Sequence, residues 1–351
     1  MTTDTPTFPT RMWRGFVIMM RQWWDTDYHP QGMDSLRQAP DEIDLKRVAP
    51  FIFLHLGCLA VIWVGFSWFA AAAAVGLYAI RMFAITAFYH RYFSHRAYKT
   101  SRFMQFVFAV IGNTAMQRGA LWWAANHRHH HQHSDEEVDV HSPKQHGFLW
   151  SHIGWITSPR NFPTNYDRIK DFAKNPELVF LNRHDMVIPL IYGAMLWLVG
   201  WLLEMYAPTL GTTGGQLFVY GFFISTVPLM HGTFFINSLA HVFGGRRFKT
   251  TDTSRNSLLL ALITLGEGWH NNHHHYMHSA RQGFYWWEVD ISFYAIKMLS
   301  WVGLVWDIRP VPAKIYEEAR IQAQSRDASV TAEAAEAIVE AISAPAPDTA
   351  A

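Results

Sequence analysis

Two long stretches of the chain are almost wholly apolar, and together they predict four membrane-spanning helices. Residues 50–89 are about forty positions interrupted by only one histidine and one arginine. A single bilayer crossing needs about 20 residues, so this stretch predicts two spans with a tight turn near Ser67. The second stretch runs from Met186 to Asn237. Its centre, Ala207–Gln216, has the Pro and Gly residues expected of a loop between two further spans.

The distribution of Lys and Arg predicts the orientation of these spans. The predicted loops inside the two apolar stretches contain no Lys or Arg, whereas Arg11–Arg47, His90–Arg183 and Arg246–Arg309 are rich in both. Because basic residues accumulate on the cytoplasmic side of a membrane, both termini and both long polar segments are predicted to be cytoplasmic. In a Gram-negative bacterium the membrane would be the inner one. A soluble enzyme with buried apolar helices is the alternative, but about forty nearly uncharged residues disfavour it.

The sequence thus predicts an all-α, polytopic membrane protein with four transmembrane helices and a cytoplasmic helical cap. The predicted segments are an N-terminal interfacial segment (1–48), spans one and two (49–89), a cytoplasmic region (90–185), spans three and four (186–237), a cytoplasmic cap (238–311) and a disordered tail (312–351). Within the first segment, Arg11–Trp24 mixes Arg with large apolar residues, which suits either an interfacial helix or a helix packed on the cap.

Composition narrows the chemistry. The 351 residues include 20 His but one Cys, and 16% are charged, against about 25% in an average soluble domain. A single cysteine, Cys58, excludes a disulfide framework and thiolate metal sites. The net charge of +1 gives no reason to expect nucleic acid as a partner.

Two histidine triplets share one spacing, H-x-x-H-H. They are His127, His130 and His131 in the first case, and His270, His273 and His274 in the second. Offsets of three and four residues place all three imidazoles of a triplet on one face of an α-helix. His129, about 160° away, and His275 fall off these faces and are weaker candidates. Imidazole is a common ligand of transition metals, so each triplet predicts part of a metal site.

Further histidines lie beside the predicted span ends. His90 and His95 occur in HRYFSH, where the first apolar stretch ends, and Asn237 and His241 form an i, i+4 pair just after the fourth span. On an α-helix His90 and His95 would lie about 140° apart. Unless that helix is distorted, the pair is expected to reach one site from a span terminus and the turn beyond it.

The motifs HRYFSHRAYKT, HRHHHQHSD, NSLAH and GEGWHNNHHH resemble the histidine boxes of the membrane Δ9 fatty acyl desaturases, the stearoyl-CoA desaturase family. The resemblance covers residues 50 to 310, including WDIR after the last box. It implies two iron ions and a set of ten ligand residues, of which Asn237 would act through water: His90, His95, His127, His130, His131, Asn237, His241, His270, His273 and His274.

The resemblance implies an O₂-dependent desaturase that removes hydrogen from two adjacent methylenes and leaves a cis double bond, expected at Δ9 of a long-chain acyl-CoA. An acyl-lipid substrate is the alternative, and a related di-iron hydroxylase is a further one. A metal transporter is a rival of a different class. It is disfavoured because transporter ligands lie near the bilayer midplane, whereas these lie at span ends.

An acyl tunnel and a headgroup site are also expected. Trp122, Trp123 and Trp269 are predicted tunnel residues, and the resemblance places its closed end near Ala74 and Tyr78, so that Tyr78 would limit acyl length. Arg118 and Asn126 are the predicted headgroup residues. Animal members contact CoA through other residues at the corresponding places, so those contacts do not carry over.

No dinucleotide-binding fingerprint is present, so electrons are expected from a separate donor. The expected classes are a ferredoxin, a rubredoxin or a cytochrome, each with its reductase.

Overall fold

Four long helices and a large helical cap make up the protein. The computed structural model describes residues 8–30, 32–325 and 333. Four helices are long and apolar enough to cross a membrane, namely Arg47–Val64, Trp68–Ser94, Val187–Tyr206 and Gly214–His241. The predicted all-α, four-span membrane architecture is confirmed.

The described part of the chain contains the following α-helices: α1 Phe8–Trp24, α2 Met33–Arg37, α3 Leu45–Gly57, α4 Val61–Val64, α5 Trp68–Phe83, α6 Arg102–Asn113, α7 Ala120–His133, α8 Pro143–His146, α9 Trp155–Thr157, α10 Lys170–Ala173, α11 Pro176–Arg183, α12 Val187–Tyr206, α13 Gly214–Phe218, α14 Ser225–Asn237, α15 Leu258–Ile263, α16 His270–His275 and α17 Ile291–Trp301. Three segments are π-helical, Ala84–Ser94, Trp150–Gly154 and Val219–Ile224. The short 3₁₀ segments are Cys58–Ala60, Pro159–Asn161, Tyr166–Ile169, Pro208–Leu210 and Leu239–His241. The two-residue strands β1 (Lys99–Thr100) and β2 (Val305–Trp306) pair antiparallel.

The turn predicted near Ser67 separates the first two spans. Ser67 has an extended backbone, and its side-chain oxygen accepts a hydrogen bond from Ala70 N at 3.3 Å, which caps α5. Hydroxyl caps of this kind satisfy one of the free N–H groups at a helix start.

The four spans are not equivalent. Only 6% of the first span and 22% of the third are buried within the protein, against 39% of the second and 72% of the fourth. The second and fourth spans therefore form the inside of the bundle. These two also run on into the cap, where they carry His90 and His241.

A buried arginine joins the two inner spans inside the apolar region. Arg81 is 1% exposed and donates hydrogen bonds to Thr226 Oγ1 at 2.7 Å and Ser225 Oγ at 2.6 Å, both in α14. A third contact reaches the carbonyl of Gly221 in the π-helical part of the same span. Every one of these acceptors is buried, as an intramembrane charge requires.

The predicted disordered tail is only partly correct. Residues 313–325 form a helix, and Ile315 and Ala319 in it are buried in a small core with Phe248 and Phe284. Burial of these apolar side chains gives this helix a packed face, so the prediction of disorder is wrong there. Apart from residue 333, the remainder of the predicted tail lies outside the described residues.

Candidate metal centre

The histidine motifs lie on four separate elements that converge beneath the cap. His127, His130 and His131 lie in α7, and His270, His273 and His274 lie in α16. His90 and His95 lie at the C-terminal end of the second span, and His241 ends a 3₁₀ turn after α14. Gly268 lets α16 approach α15, because a methyl group at this position would lie 2.1 Å from Ala261 N.

A change of helix type aligns His90 with His95. The second span winds as a π-helix over Ala84–Ser94, and His95 N donates to His90 O at 3.2 Å, an i+5 to i hydrogen bond. A π-helix places residues five apart one above the other, whereas an α-helix would place them about 140° apart. His95 is the turn residue directly after this π-helix, so the two histidines reach one site from a distorted span terminus and the turn beyond it, as the sequence predicted.

The first cluster contains five histidines, His90, His95, His127, His131 and His273. Their ligand nitrogens all lie within 4.8 Å of one another. Three pairs of Nε2 atoms are 2.9 Å apart: His90 with His273, His273 with His131, and His95 with His127. Two nitrogens that lie about 2.1 Å from one ion and at right angles are about 3.0 Å apart, so the spacing suits a shared metal ion.

Hydrogen bonds alone do not account for this cluster. His273 Nε2 lies 2.9 Å from both His90 Nε2 and His131 Nε2. One ring nitrogen of a neutral imidazole carries either one proton or one lone pair, so it can make only one of these two hydrogen bonds. A cation among the nitrogens satisfies every lone pair at once, and the residues present therefore fit a metal ion.

The second cluster contains four histidines, His130, His241, His270 and His274. His241 Nε2 and His270 Nε2 are 3.1 Å apart. His274 Nε2 is buried and has no hydrogen-bond partner. An unpartnered buried nitrogen is costly, and a metal ion in this cluster would remove that cost.

The two triplets divide between the clusters in opposite ways. From α7, His127 and His131 join the five-histidine cluster and His130 joins the four-histidine cluster. From α16, His270 and His274 join the four-histidine cluster, and the middle residue, His273, joins the other. The predicted single face of each triplet thus borders both clusters. All nine predicted histidines are placed in one cluster or the other.

Buried carboxylates hold the outer nitrogens of several of these imidazoles. His130 Nδ1 lies 2.9 Å from Asp139 Oδ2, and His274 Nδ1 lies 2.6 Å from Asp252 Oδ2. His90 Nδ1 contacts Glu267. A carboxylate that accepts the Nδ1 proton leaves the Nε2 lone pair free for a metal. These acids were not predicted from the sequence, although DEEVDV and GEGWH place Asp139 and Glu267 beside the histidine boxes; Asp252 has no such signal.

The charges of these groups suit ligand chemistry. Burial, together with the neighbouring imidazoles, holds the pKa of several ligand histidines well below its usual value: His95, His127, His131, His270 and His273. Burial likewise lowers the pKa of His274 to about 4, although Asp252 opposes this shift. Burial opposes ionisation of Asp139, but His130 and His141 hold the pKa of its carboxyl below its usual value. Neutral imidazoles and ionised outer carboxylates are the forms that bind a metal.

The weaker histidine candidates stay outside both clusters. His129 contacts the carbonyl of Val138, and His133 pairs with Glu136 on the surface. His275 pairs with Glu318 in the C-terminal helix. Helix geometry therefore separated these residues correctly from their neighbours in sequence.

An apolar cavity of about 540 Å³ leads to the five-histidine cluster. His127 is part of its wall, and the predicted residues Trp122 and Trp123 line it. The Trp123 ring packs on the His127 ring with centroids 4.8 Å apart. Asn237, at the end of α14, also lines the cavity, as does His141, which the sequence analysis did not single out.

Three predicted tunnel residues do not line this cavity. Ala74 is buried against Ala70 and Tyr220. Tyr78 donates a hydrogen bond from its hydroxyl to Ile263 O at 2.7 Å, and Trp269 donates from Nε1 to Val289 O at 2.8 Å. Each of these three side chains packs within the protein away from the apolar cavity.

The polar end of the cavity contains a stacked pair of arginines. Arg47 and Arg118 lie over the ring of Phe162, with guanidinium carbons 3.6 and 3.8 Å from its centroid. Arg118 pairs with Asp185 at 2.6 Å, and Arg47 pairs with Asp44 at 3.4 Å. The predicted headgroup residues Arg118 and Asn126 both line the cavity.

Comparison with known proteins agrees with this centre. The fatty acid desaturase family matches residues 66–298 of the chain. An sn-2 palmitoyl-lipid 9-desaturase of Nostoc sp. (strain 36) is 36% identical over 247 residues, which cover 68% of this chain and 82% of the relative. An sn-1 stearoyl-lipid 9-desaturase of Anabaena variabilis is 36% identical over 262 residues, which cover 74% and 91%. An acyl-CoA 5-desaturase of Anemone leveillei is 34% identical over 268 residues, which cover 75% and 78%.

These matches, together with the nine clustered histidines, confirm the resemblance seen in the histidine motifs. The chain belongs to the fatty acid desaturase family and is an acyl desaturase, an oxidoreductase that acts on fatty acyl chains.

Proposed function

We propose that the protein is a di-iron, O₂-dependent desaturase that introduces a cis double bond at Δ9 of a long-chain acyl group carried by a membrane lipid. The observation that carries this proposal is the apolar cavity that ends at His127, a member of the five-histidine cluster. A saturated acyl chain in this cavity would lie with its methylenes next to the clustered imidazoles.

The nine histidines would hold the two iron ions, with Asn237 contributing through water. Bound iron would supply the O₂-derived oxidising power that removes hydrogen from an unactivated methylene. The protein's own contribution is to position the chain, because neighbouring methylenes are chemically almost alike. The walls formed by Trp122 and Trp123 exclude water from this part of the cavity and fix which carbons face the centre.

The balance of charges at the polar end of the apolar cavity favours a lipid substrate over the acyl-CoA substrate expected from the sequence. The charged residues lining the cavity are Asp44, Arg47, Arg118 and Asp185, two of each sign, and they pair with one another. A CoA headgroup carries several phosphate charges and needs cations that are not already neutralised. An ester-linked acyl chain of a lipid has no such requirement. Two of the three relatives described above are named as lipid desaturases.

We propose that both termini face the cytoplasm, with the centre at the cytoplasmic surface, in agreement with the positions of Lys and Arg. The membrane would be the inner one in a Gram-negative bacterium. A separate ferredoxin, rubredoxin or cytochrome with its reductase would supply electrons.

The test is to express the chain in a host and to map double bonds in its glycerolipids and its acyl-CoA pool. We expect new cis-Δ9 acyl chains on glycerolipids, formed without a preceding rise in the CoA pool. His273→Ala, which removes a nitrogen facing two others, is the matched control and should form no product. Appearance of the product first in the CoA pool would contradict the lipid substrate. Formation of an alcohol instead of an alkene would identify a hydroxylase.

A further inference from the structure

A second cavity, which we call the basic cleft, lies on the cap away from the apolar cavity. It measures about 650 Å³ and lies where the β1–β2 strand pair meets α6 and α10. Five basic side chains line it, against the two carboxylates of Asp171 and Asp307: Arg96, Lys99, Arg102, Lys174 and Arg309. Lys174 and Arg309 are exposed and form no ion pair within the described residues. The cleft therefore presents a positive surface to the solvent.

The floor of the basic cleft is connected to the five-histidine cluster by two short routes. Asp171 accepts hydrogen bonds from Arg96 Nη1 at 2.9 Å and from Arg128 Nη1 at 2.8 Å. Arg96 directly follows His95, and Arg128 directly follows His127. The Nε2 atoms of these two histidines are 2.9 Å apart in the cluster. Each route therefore consists of one arginine side chain, one peptide link and one histidine side chain.

A further connection runs through the backbone of the π-helix. Arg128 Nε donates to Ser94 O at 3.0 Å, and Arg128 Nη2 donates to Phe93 O at 2.7 Å. Tyr92, in the same π-helix, forms part of the cleft wall. The segment that presents His90 and His95 to the cluster is thus also a wall of the cleft. Among the residues that the structure describes, no histidine of the four-histidine cluster lines the cleft.

The proposed reaction requires electrons from outside the chain. In balanced form, –CH₂–CH₂– + O₂ + 2 e⁻ + 2 H⁺ gives –CH=CH– + 2 H₂O. Two C–H bonds of the substrate break, a C=C double bond forms, and both oxygen atoms of O₂ are reduced to water. The substrate supplies two of the four electrons that O₂ takes up, and the donor must supply the other two.

Resting on the proposed function, we propose that the basic cleft is the docking site of the electron donor, an acidic one-electron carrier protein, and that electrons enter through the five-histidine cluster. Opposite charge attracts such a carrier and orients its approach. Docking here places the carrier on the face of the cap from which Arg96 and Arg128 lead to His95 and His127. The acyl substrate occupies the separate apolar cavity, so the donor and the substrate can be bound together.

The test measures binding of the donor independently of turnover. The full chain in phosphatidylcholine nanodiscs is titrated with a plant-type two-iron ferredoxin of acidic surface, and Kd is determined at several salt concentrations. Lys174→Glu combined with Arg309→Glu should raise Kd about tenfold and flatten its salt dependence, because two exposed attractions become repulsions. Reduction of the centre by ferredoxin under limiting donor should slow by a similar factor.

The matched control is the double variant Lys144→Glu and Lys314→Glu, which reverses two exposed lysines outside the cleft. Its Kd should equal that of the wild type. Equal shifts in both double variants would indicate a general charge effect and would overturn the proposal. A shift seen only in nanodiscs that contain anionic phosphatidylglycerol would assign the cleft to lipid headgroups and would also overturn it.

A separate measurement tests the proposed function on which this inference rests. Wild-type protein chemically reduced with dithionite is supplied with O₂ and a saturated acyl-lipid, and the product is analysed. Absence of an alkene there would refute the desaturase proposal itself. An alkene there, combined with unchanged ferredoxin binding in the Lys174 and Arg309 variant, would refute only the docking site.

Discussion

Both histidine clusters are suited to hold a metal ion, but they differ in the number of imidazoles and in the number of carboxylates that contact those imidazoles. The first contains five imidazoles, and within the described residues one carboxylate, that of Glu267, contacts them, at His90. The second contains four imidazoles, and Asp139 and Asp252 contact two of them, with Asp135 3.9 Å from a third, His241. Outer carboxylates raise the basicity of the imidazoles that they contact. The second cluster thus compensates for fewer ligands with stronger ones.

This comparison predicts different results for removing one ligand from each cluster. His270→Ala leaves three imidazoles in the smaller cluster, so we expect one iron per chain and no detectable desaturation. His131→Ala leaves four imidazoles in the larger cluster, so we expect more iron to be retained, although activity falls strongly. Iron per chain by elemental analysis, measured beside product formation, checks both results. Equal iron loss in the two variants would show that the clusters do not differ in this way.

The carboxylate of the larger cluster is itself held by a buried arginine. Arg91 is 1% exposed and pairs with Glu267 at 3.0 Å and with Asp290 at 2.9 Å. Arg91→Ala leaves two buried carboxylates without their cation, so we expect the free energy of unfolding to fall by about 3–5 kcal/mol. Thermal unfolding in detergent measures this change. Arg96→Ala, which breaks an exposed pair with Asp171, is the control and should cost no more than about 1 kcal/mol.

Removing an outer carboxylate of the four-histidine cluster is expected to lower the metal affinity of that cluster more than the metal affinity of the five-histidine cluster. Asp252→Asn keeps the size of the side chain but weakens its hold on His274 Nδ1. Loss of an outer partner typically lowers metal affinity by about 10–100-fold. We expect this loss at one of the two irons, seen as biphasic release to a chelator. Monophasic release at the wild-type rate would contradict the role given to Asp252.

The smallest expected effect is on the length of the acyl chain that fits the apolar cavity beside the five-histidine cluster. Met230 lines the apolar cavity, whereas Tyr78 does not. Met230→Trp should fill part of the cavity and shift the product toward shorter chains by about tenfold, as one or two methylenes in an apolar pocket do. Tyr78→Ala is the matched control. A shift in acyl length with Tyr78→Ala and none with Met230→Trp would show that the tunnel ends near Tyr78, as the sequence predicted.

The sequence predicted most of the architecture because membrane spans are long and locally encoded. About forty residues with a single arginine, and a second apolar stretch with a Pro and Gly loop, are enough to place four helices. The nine histidines were also identified, through helix-face geometry and the resemblance together. The division of each triplet between two clusters was not predictable, because it depends on how α7 and α16 lie against each other.

Two further features escaped sequence reasoning for physical reasons. The π-helical winding that aligns His90 with His95 is a departure from the usual 3.6-residue period, and tertiary packing selects it. The carboxylates Asp139, Asp252 and Glu267 are buried, whereas acidic residues are almost always exposed unless they are paired. Their burial becomes favourable only once imidazoles and arginines from distant segments surround them.

The arginine inside the second span has a consequence for biosynthesis. Three of the hydrogen-bond acceptors of Arg81 lie in the fourth span, 140 to 145 residues further along the chain. At a synthesis rate of about 5–20 residues per second, the ribosome needs about 7–28 seconds to supply them. During that interval the guanidinium group must remain near water or beside the insertion machinery. The second span is therefore expected to leave the translocation channel together with the fourth, and not on its own.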